Sequence, residues 1–286
     1  MAANDISWPN ERMKDPKRIL FISQEIHPYL ADETPIRMLN RRLPELFQAN
    51  GYETRTFMPK FGEINERRNQ LHEVIRLSGI NIIIEDTDHP LLIKVTSIPA
   101  ARIQIYFIDN EDYFQRRRGL VDEGGKEYAD NDERCIFFAR SVLETVNKLR
   151  WSPDVVWCSG WMAALIPLYL KKLFGDSPFF AKTKVILSLD NEEYKQAFPT
   201  QFSHKLLTDS ITLNDVRSIA GFPVGYEELM RMAIDYADAI VVSSDGVNQR
   251  LLNYAETSGK PLLPHDNEEV NKYLDFCNSL LAADGN

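Results

Sequence analysis

The sequence predicts an α/β fold of the Rossmann-like, doubly wound type, with a mostly parallel sheet, helices on both faces and an inserted β-meander. Three observations lead to this fold class. Short apolar runs rich in β-formers alternate with amphipathic helical segments along most of the chain. After the second strand, four β-like runs follow one another with only short turns between them. Hydrophobic residues make up 44% of the 286 residues, which is enough for a large core.

The first βαβ unit follows a polar N-terminal extension, residues 1–16. Arg18–Ser23 is an apolar run that predicts a buried strand. Ile36–Ala49 carries apolar residues at helical spacing, and Gly51 stands just beyond it, where a helix C-cap is expected. Glu53–Met58 predicts the second strand. A strand, a helix and a strand within this length predict a right-handed crossover.

The inserted meander and a polar loop come next. Four runs have the composition of strands: Leu71–Leu77, Asn81–Ile84, Leu91–Ile98 and Ile103–Ile108. Gly79 and Asp86–Pro90 supply the residues that turns prefer. The segment Glu111–Asp132 is polar and contains glycine, so it predicts a loop.

The βα alternation then returns and continues to the end. The predicted strands are Val155–Cys158, Lys184–Leu189 and Ala239–Ser243. The predicted helices are Glu133–Leu149, Trp161–Phe174, Glu227–Tyr236, Asp245–Tyr254 and Glu268–Ala282. The long irregular segment Glu192–Tyr226 predicts a functional lid or binding loop, because structureless loops of that length are uncommon in compact domains.

Composition excludes several classes of function. The formal net charge of −9 disfavours binding to nucleic acid or to anionic membranes, since both need a basic surface. No apolar run is long enough for a membrane helix and no signal peptide is evident, so we expect a cytoplasmic protein. Three widely spaced cysteines predict neither disulfides nor a zinc site. We expect no cofactor and no metal.

Ligands of doubly wound sheets bind at the carboxyl ends of the strands, which directs the search for a site. Those ends are predicted at Ser23–Glu25, Ser159–Trp161, Asp190–Asn191 and Ser243–Ser244. The turn after the first strand has no glycine-rich phosphate motif, which disfavours a dinucleotide there.

Two other motifs have alternative interpretations. Asp86-Thr-Asp88 resembles the acidic pair that binds Mn²⁺ in one class of glycosyltransferases, but a hairpin turn is the favoured interpretation. Arg116–Arg118 is either a solvated basic loop, which we favour, or an anion-binding loop.

Several longer strings, in order and over roughly residues 18–255, resemble bacterial glycogen synthases and plant starch synthases. They are Glu25-x-x-Pro28, Leu43-Pro44, Tyr106-Phe-Ile-Asp-Asn110, Arg118-Gly-Leu120, Tyr128-x-Asp-Asn-x-Glu-Arg134, Trp151-x-Pro-Asp-Val-Val156, Trp161-x-x-Ala-Leu-x-Pro-x-Tyr-Leu170 and Tyr236–Ser244. Each string alone is weakly specific, but their shared order and spacing are much more so.

The resemblance implies a fold and an activity. Enzymes of this family are GT-B glycosyltransferases with two Rossmann-like domains, and they transfer glucose from ADP-glucose to an α-1,4-glucan. Residues 17–258 resemble their N-terminal domain, which mainly holds the acceptor glucan, and residues 259–286 form a link and a helix. The domain that holds most of the nucleotide sugar has no counterpart here, so we expect a partner chain that supplies it, or a homo-oligomer.

Three departures from the family pattern affect catalysis. The family's Lys-x-Gly-Gly-Leu loop is replaced by Ala31–Pro35, which has no lysine and no glycine. The family's His-Asp-Trp reads Ser159, Gly160, Trp161, and its next His-Asn reads Asp190, Asn191. Loss of one transition-state contact typically costs about 10²- to 10³-fold in rate. No catalytic residue is therefore expected to be intact, and whether the chain is an enzyme stays open.

The resemblance also nominates residues that contact sugar. The candidates are Glu25, Tyr128, Asp130, Asn131, Arg134, Trp161 and Asn191. A buried structural role is favoured over sugar stacking for Trp161. The leading hypothesis is a glycogen/starch synthase-like glycosyltransferase domain that is inactive alone or depends on a partner. The alternative is a non-catalytic glucan-binding, regulatory or interaction protein of glycogen metabolism.

Overall fold

The computed structural model describes residues 15–98, 101, 103–266 and 270–283. Its strands are β1 (Arg18–Ser23), β2 (Glu53–Pro59), β3 (His72–Glu73), β4 (Ile80–Ile84), β5 (Thr87–Ile98), β6 (Ile103–Asp109), β7 (Val155–Ser159), β8 (Lys184–Leu189), β9 (Ala239–Val242) and β10 (Leu262–Leu263). Its α-helices are α1 (Pro35–Ala49), α2 (Asn131–Lys148), α3 (Ile166–Lys172), α4 (Phe202–Lys205), α5 (Tyr226–Tyr236), α6 (Gln249–Thr257) and α7 (Asn271–Ala282).

The sheet confirms the predicted fold class. Its strand order is β10-β9-β8-β7-β1-β2-β6-β5-β3, with β4 paired to β5. All pairs from β10 to β6 are parallel, and the strand order reverses direction between β1 and β7. This reversal is the topological switch point, beside which doubly wound proteins form their ligand crevice.

The inserted meander is confirmed as an antiparallel addition to one edge of the sheet. β5 pairs antiparallel with β3, β4 and β6. β6, which the sequence assigns to the meander, also pairs in parallel with β2 and therefore belongs to the main sheet. The Leu71–Leu77 run contributes only the two residues of β3, because the rest of it turns back toward β4.

Two apolar cores lie on opposite faces of the sheet. Side chains alternate along β1, so Leu20 joins the larger core while Phe21 joins the smaller one. Helices α2, α3, α5 and α6 cover the larger core. Helices α1 and α7 cover the smaller core, where Tyr273 of α7 packs edge-on against Trp157 of β7. α7 therefore packs against one face of the sheet.

Some element boundaries differ from the sequence expectation. The predicted helix Trp161–Phe174 is a 3₁₀ turn, Trp161–Ala163, followed by α3. Pro167 lies in the first turn of α3, where the missing N–H of proline costs nothing. The short strand β10 lies in the predicted link and extends the sheet beside β9.

The last helices also begin later than expected. α6 begins at Gln249 because the side chain of Asn248 accepts from the Arg250 amide and caps it. Glu268, the predicted start of the last helix, lies outside the described residues, as does most of the N-terminal extension. None of the helices in the described part of the chain has the length and apolar character needed to cross a membrane.

Candidate functional site

A cleft of about 660 Å³ lies at the carboxyl ends of the central strands. It is bounded by the turn after β1, the start of α1, the turn after β7, the loop after β8 and a hairpin-like turn at residues 121–127. Its lining residues include Glu25, Arg37, Glu63, Arg118, Glu123, Glu127, Trp161, Asn191 and Glu192. The cleft therefore opens beside the switch point, where the topology predicts a ligand site.

Gln24, which follows β1, is fully buried at the switch point and contacts Glu192, which lines the cleft. Its backbone amide donates to the carbonyl of Ser159 at 3.1 Å, which continues the pairing of β1 with β7. Its side-chain amide donates to Glu192 at 2.7 Å, and its amide oxygen accepts from the backbone N–H of Met162 at 3.4 Å. Gln24 thus connects the residues that follow β1, β7 and β8.

Asp190, at the end of β8, is buried among serine hydroxyls. Ser159 and Ser188 each donate to its carboxylate at 3.2 Å, and Ser243 also donates to it. The backbone N–H of Gly160 adds a fourth donor. Burial raises the pKa of Asp190, and these hydrogen bonds oppose that shift. The carboxylate joins the ends of β7, β8 and β9 and is satisfied by the protein.

Glu25 and Arg37 form a bidentate ion pair at the start of the cleft. Arg37 donates to the two carboxylate oxygens at 3.0 and 2.9 Å, and both side chains are largely buried. Helix α1 begins here because Thr34 accepts from the Arg37 amide and Pro35 occupies the first turn. The rewritten loop Ala31–Pro35 therefore builds an ordinary helix start, and Arg37 is neutralised by Glu25.

Glu192 is a carboxyl of the cleft that changes its charge near neutral pH. Burial raises its pKa to about 7, and the negative charges of Glu25 and Asp190 add to the effect. The hydrogen bond from Gln24 and the charge of Arg37 oppose it. Glu192 lines both the cleft and a second cavity of about 860 Å³, which is also lined by residues of α1 and by His265, Asp266, Val270 and Tyr273.

The cleft has a strongly negative lining. Its acidic residues are Glu25, Asp32, Glu63, Asp122, Glu123, Glu127, Glu192 and Glu193. The two arginines in the lining already have carboxylate partners, because Arg37 pairs with Glu25 and Arg118 pairs with Glu63 at 3.1 Å. A diphosphate would meet net repulsion here, whereas carboxylates suit ligands that bring hydroxyl or ammonium donors.

The basic run Arg116–Arg118 offers no unpaired cation. Arg116 pairs with Glu111 and Asp112, and Arg117 pairs with Asp130 at 2.8 Å. Arg118 also approaches Glu123 at 3.4 Å. These ion pairs agree with the favoured interpretation of a solvated loop.

Four of the sequence-predicted sugar residues lie beneath this loop. The guanidinium of Arg134 is fully buried and donates to the Tyr113 carbonyl, the Asn131 side chain and the Gly119 carbonyl at 2.6–2.8 Å. It also stacks over Tyr128, 5.0 Å from the ring centre. Burial lowers its pKa to about 10. Tyr128, Asp130, Asn131 and Arg134 are brought together, but none of them lines the cleft.

The other three predicted residues, Glu25, Trp161 and Asn191, do line the cleft. Trp161 is only 3% exposed and packs edge-on against Tyr194 at 5.3 Å, so its ring has little free face for stacking on a sugar. The backbone N–H of Asn191 donates to Ser244 at 3.0 Å, and its side chain remains at the boundary of both cavities.

Sequence reasoning placed Gln24 at a strand end, Glu192 at the start of a predicted binding loop and residues 121–127 in a predicted loop, but it did not single out any of them as a site residue. Glu127 accepts from the backbone amides of Lys195 and Gln196, which fastens that turn to the loop after β8. The acidic pair Glu192-Glu193, three residues beyond the end of β8, was the sequence signal for this side of the cleft. Asp86-Thr-Asp88 lies in the β4–β5 hairpin, as favoured. Within the described ranges, no group of three or more His, Cys, Asp or Glu side chains is arranged to hold a metal.

Comparison with known proteins gives a consistent result. Residues 18–261 match the family model described as the starch synthase catalytic domain. The glycogen synthase of Chlorobium limicola is 35% identical over 196 residues, covering 68% of this chain and 40% of that protein. The glycogen synthase of Chlorobaculum tepidum is 34% identical over 242 residues, covering 84% of this chain and 48% of that protein. The chain thus spans about half the length, or less, of the curated relatives it matches.

A solved structure supports the same fold. The catalytic domain of starch synthase IV from Arabidopsis thaliana, bound to ADP and acarbose, superposes with a TM-score of 0.71. The superposition covers 90% of this chain and 52% of that chain. Sequence identity is 14%, so this likeness concerns the fold alone.

Proposed function

Because the chain belongs to the starch synthase catalytic domain family, we propose that it is the glucan-holding domain of a glycogen- or starch-synthase-type glucosyltransferase. The family reaction would transfer glucose from ADP-glucose to an α-1,4-glucan. The observation that carries the proposal is the charge of the cleft beside the switch point, where every lining arginine has a carboxylate partner.

A neutral glucan suits this lining better than a nucleotide sugar does. Each glucose unit presents hydroxyl donors, and ionised carboxylates accept hydrogen bonds from hydroxyls more strongly than neutral acceptors do. Glu25, Asn191 and Glu192 lie where such hydroxyls would reach. Tyr128 and Arg134 act by supporting the loop that forms the opposite wall, since Arg134 holds the carbonyl of Gly119 and Tyr128 accepts from the Arg118 amide.

The diphosphate of the donor needs positive groups from elsewhere. The leaving diphosphate of a nucleotide sugar is stabilised in transfer by cations and oriented N–H donors. This cleft supplies no uncompensated cation, and Ser159, Gly160 and Asp190 are committed to the buried hydrogen bonds described above. We therefore propose that donor-binding groups are contributed from outside the described residues, by more of the same polypeptide or by a partner chain.

The second candidate function is a glucan-binding protein without catalytic activity. The full satisfaction of Asp190 by three serines and an amide favours it, because a carboxylate so enclosed has no free capacity for a substrate. Both candidate functions predict that the chain binds glucan. They differ in whether the chain takes part in glucose transfer.

Two assays on the purified chain test these functions. Native electrophoresis through a gel containing glycogen should retard the protein, and Glu25→Gln with Glu192→Gln should weaken the retardation. A matched control is Glu85→Gln with Asp86→Asn, which removes two charges from the exposed β4–β5 turn. Transfer of labelled glucose from ADP-glucose to glycogen should be at background for the chain alone. Mobility unaffected by glycogen would contradict both functions.

A further inference from the structure

The crevice at the switch point is filled by a side chain of the protein itself. Gln24 is fully buried, and it reaches from the end of β1 across the turn after β7 to Glu192 beyond β8. Both polar atoms of its amide have partners, the Met162 N–H at 3.4 Å and the Glu192 carboxyl at 2.7 Å. The carboxyl of Glu192 in turn lines the cleft. Gln24 and Glu192 thus form a bridge over the three strand ends.

Gly160 makes this bridge sterically feasible. A Cβ atom at position 160 would lie 2.3–2.4 Å from Cγ, Cδ and Oε1 of Gln24, which is far inside van der Waals contact. Independently, Gly160 has φ +85° and ψ 157°, a backbone conformation that is essentially restricted to glycine. The glycine therefore has two separable roles, one in backbone geometry and one in making room for Gln24.

We infer that Gln24 is a specificity-determining residue that closes the switch-point crevice, so that the glucan-binding surface ends at the Gln24–Glu192 bridge instead of reaching the strand ends. The inference rests on the proposed glucan binding. In other doubly wound sheets, that crevice receives part of the ligand. Here the ligand is held outside it, against Glu192, Glu25 and the wall at residues 121–127.

The inference predicts how binding depends on glucan length. Maltose to maltoheptaose are titrated against the wild type, Gln24→Gly and Gln24→Met by calorimetry. Affinity rises with chain length until every subsite is filled. Gln24→Gly removes the side chain that fills the space under Glu192. The affinity of this variant should therefore stop rising at an oligosaccharide one glucose unit longer than the length at which the wild-type affinity stops rising. Gln24→Met fills the space without the amide, so its plateau should stay at the wild-type length.

A double-mutant cycle tests the contact independently of any ligand. Gly160→Ala should lower the melting temperature in both backgrounds, because the backbone conformation disfavours alanine. The loss should be larger, by about 3 °C, in the wild type than in Gln24→Gly, where the added methyl meets no side chain. Equal losses in the two backgrounds would show that Gln24 does not occupy the crevice and would overturn the inference.

The titrations separate failure of the inference from failure of the proposed function. An unchanged plateau in Gln24→Gly, with binding otherwise intact, would overturn the specificity role while the glucan function stands. No binding of any oligosaccharide by the wild type or either variant would overturn the glucan function and the specificity role together. If the plateau shifts in Gln24→Gly and stays at the wild-type length in Gln24→Met, the result would support both the glucan function and the specificity role of Gln24.

Discussion

Two regions of the molecule resemble the family to different degrees, and the structure uses them differently. Residues 106–134 keep the family strings, and the structure buries many of their side chains around Arg134 to support a loop. The positions at which we expect departures from the family, Ala31–Pro35, Ser159, Gly160 and Asp190, lie at or just after strand ends beside the cleft, and Asp32 lines it. The retained strings around Arg134 therefore mainly build a scaffold, although Arg118, Gly119 and Leu120 of these strings also line the cleft.

The two regions also compensate buried charge differently. Arg134 has carbonyl oxygens, an amide oxygen and aromatic rings around it, with no direct carboxylate partner. Asp190 and Glu192 are surrounded by hydroxyl and amide donors. Substitution of Arg134 should therefore mainly lower the free energy of unfolding. Substitutions in the cleft should change that free energy less and glucan binding more.

The largest expected effect is that of Arg134→Met. The substitution leaves two buried carbonyls and the Asn131 side chain without their donor, so the free energy of unfolding should fall by about 3 kcal/mol. Urea denaturation measures it. Arg116→Met, at an exposed and solvent-screened position, should change stability by less than about 0.5 kcal/mol. Equal losses for the two variants would contradict the scaffold role.

The second-largest expected effect is that of Asp190→Asn. Asparagine retains one acceptor oxygen but brings an N–H₂ group toward donors, so the free energy of unfolding should fall by about 2 kcal/mol. Asp209→Asn, an exposed change of the same chemistry, is the matched control in the same denaturation experiment. If Asp190→Asn left the free energy of unfolding unchanged, the hydrogen bonds from the serine hydroxyls to the carboxylate would not contribute to stability.

The pH dependence of stability tests Glu192. Its folded-state pKa of about 7 lies above the ordinary value of 4.5, so the wild type binds a proton more tightly when folded. Its contribution to stability is fully present below pH 4.5 and is lost as the pH rises through 7. Relative to Glu192→Gln, the wild type should lose about 2 kcal/mol over this interval, a value reduced for partial exposure to solvent. A pH-independent difference between the two proteins would contradict the buried environment of Glu192.

The smallest expected effect concerns Arg118. Glu63→Gln with Glu123→Gln removes its two partners in the cleft, so affinity for ADP should rise by about threefold, as expected for screened surface charges. Equilibrium dialysis with labelled ADP measures the change. The pair Glu85→Gln with Asp86→Asn alters the net charge equally but far from the cleft. An equal gain in that control would indicate a general charge effect.

Much of the fold was predictable because its signals are local. Arg18–Ser23 and Lys184–Leu189 read as buried strands from composition alone, and both are strands over those residues. Pairing is not local, so the sequence did not show that β6 joins β2 in parallel while it also pairs with β5. Likewise, Pro167 inside an apolar run did not reveal whether a helix begins there or continues through it.

The candidate site was less predictable than the fold. Strand ends located the cleft, and Glu25, Trp161 and Asn191 line it as residues near those ends should. Gln24 and Gly160 are 136 positions apart, and only the structure shows that one fills the space left by the other. Tyr128 and Arg134 carry polar groups that suit a sugar, but burial directs those groups to the protein backbone.

Whether the cleft holds a neutral glucan or a diphosphate is tested most directly by comparing two ligands on the same protein. Titration calorimetry of the purified chain with maltoheptaose and with ADP-glucose, in matched buffer at low salt, measures both affinities. We expect measurable heat of binding for maltoheptaose and none for ADP-glucose at millimolar concentration. Tight binding of ADP-glucose without binding of maltoheptaose would contradict this expectation, because the cleft would then hold a diphosphate despite its carboxylates.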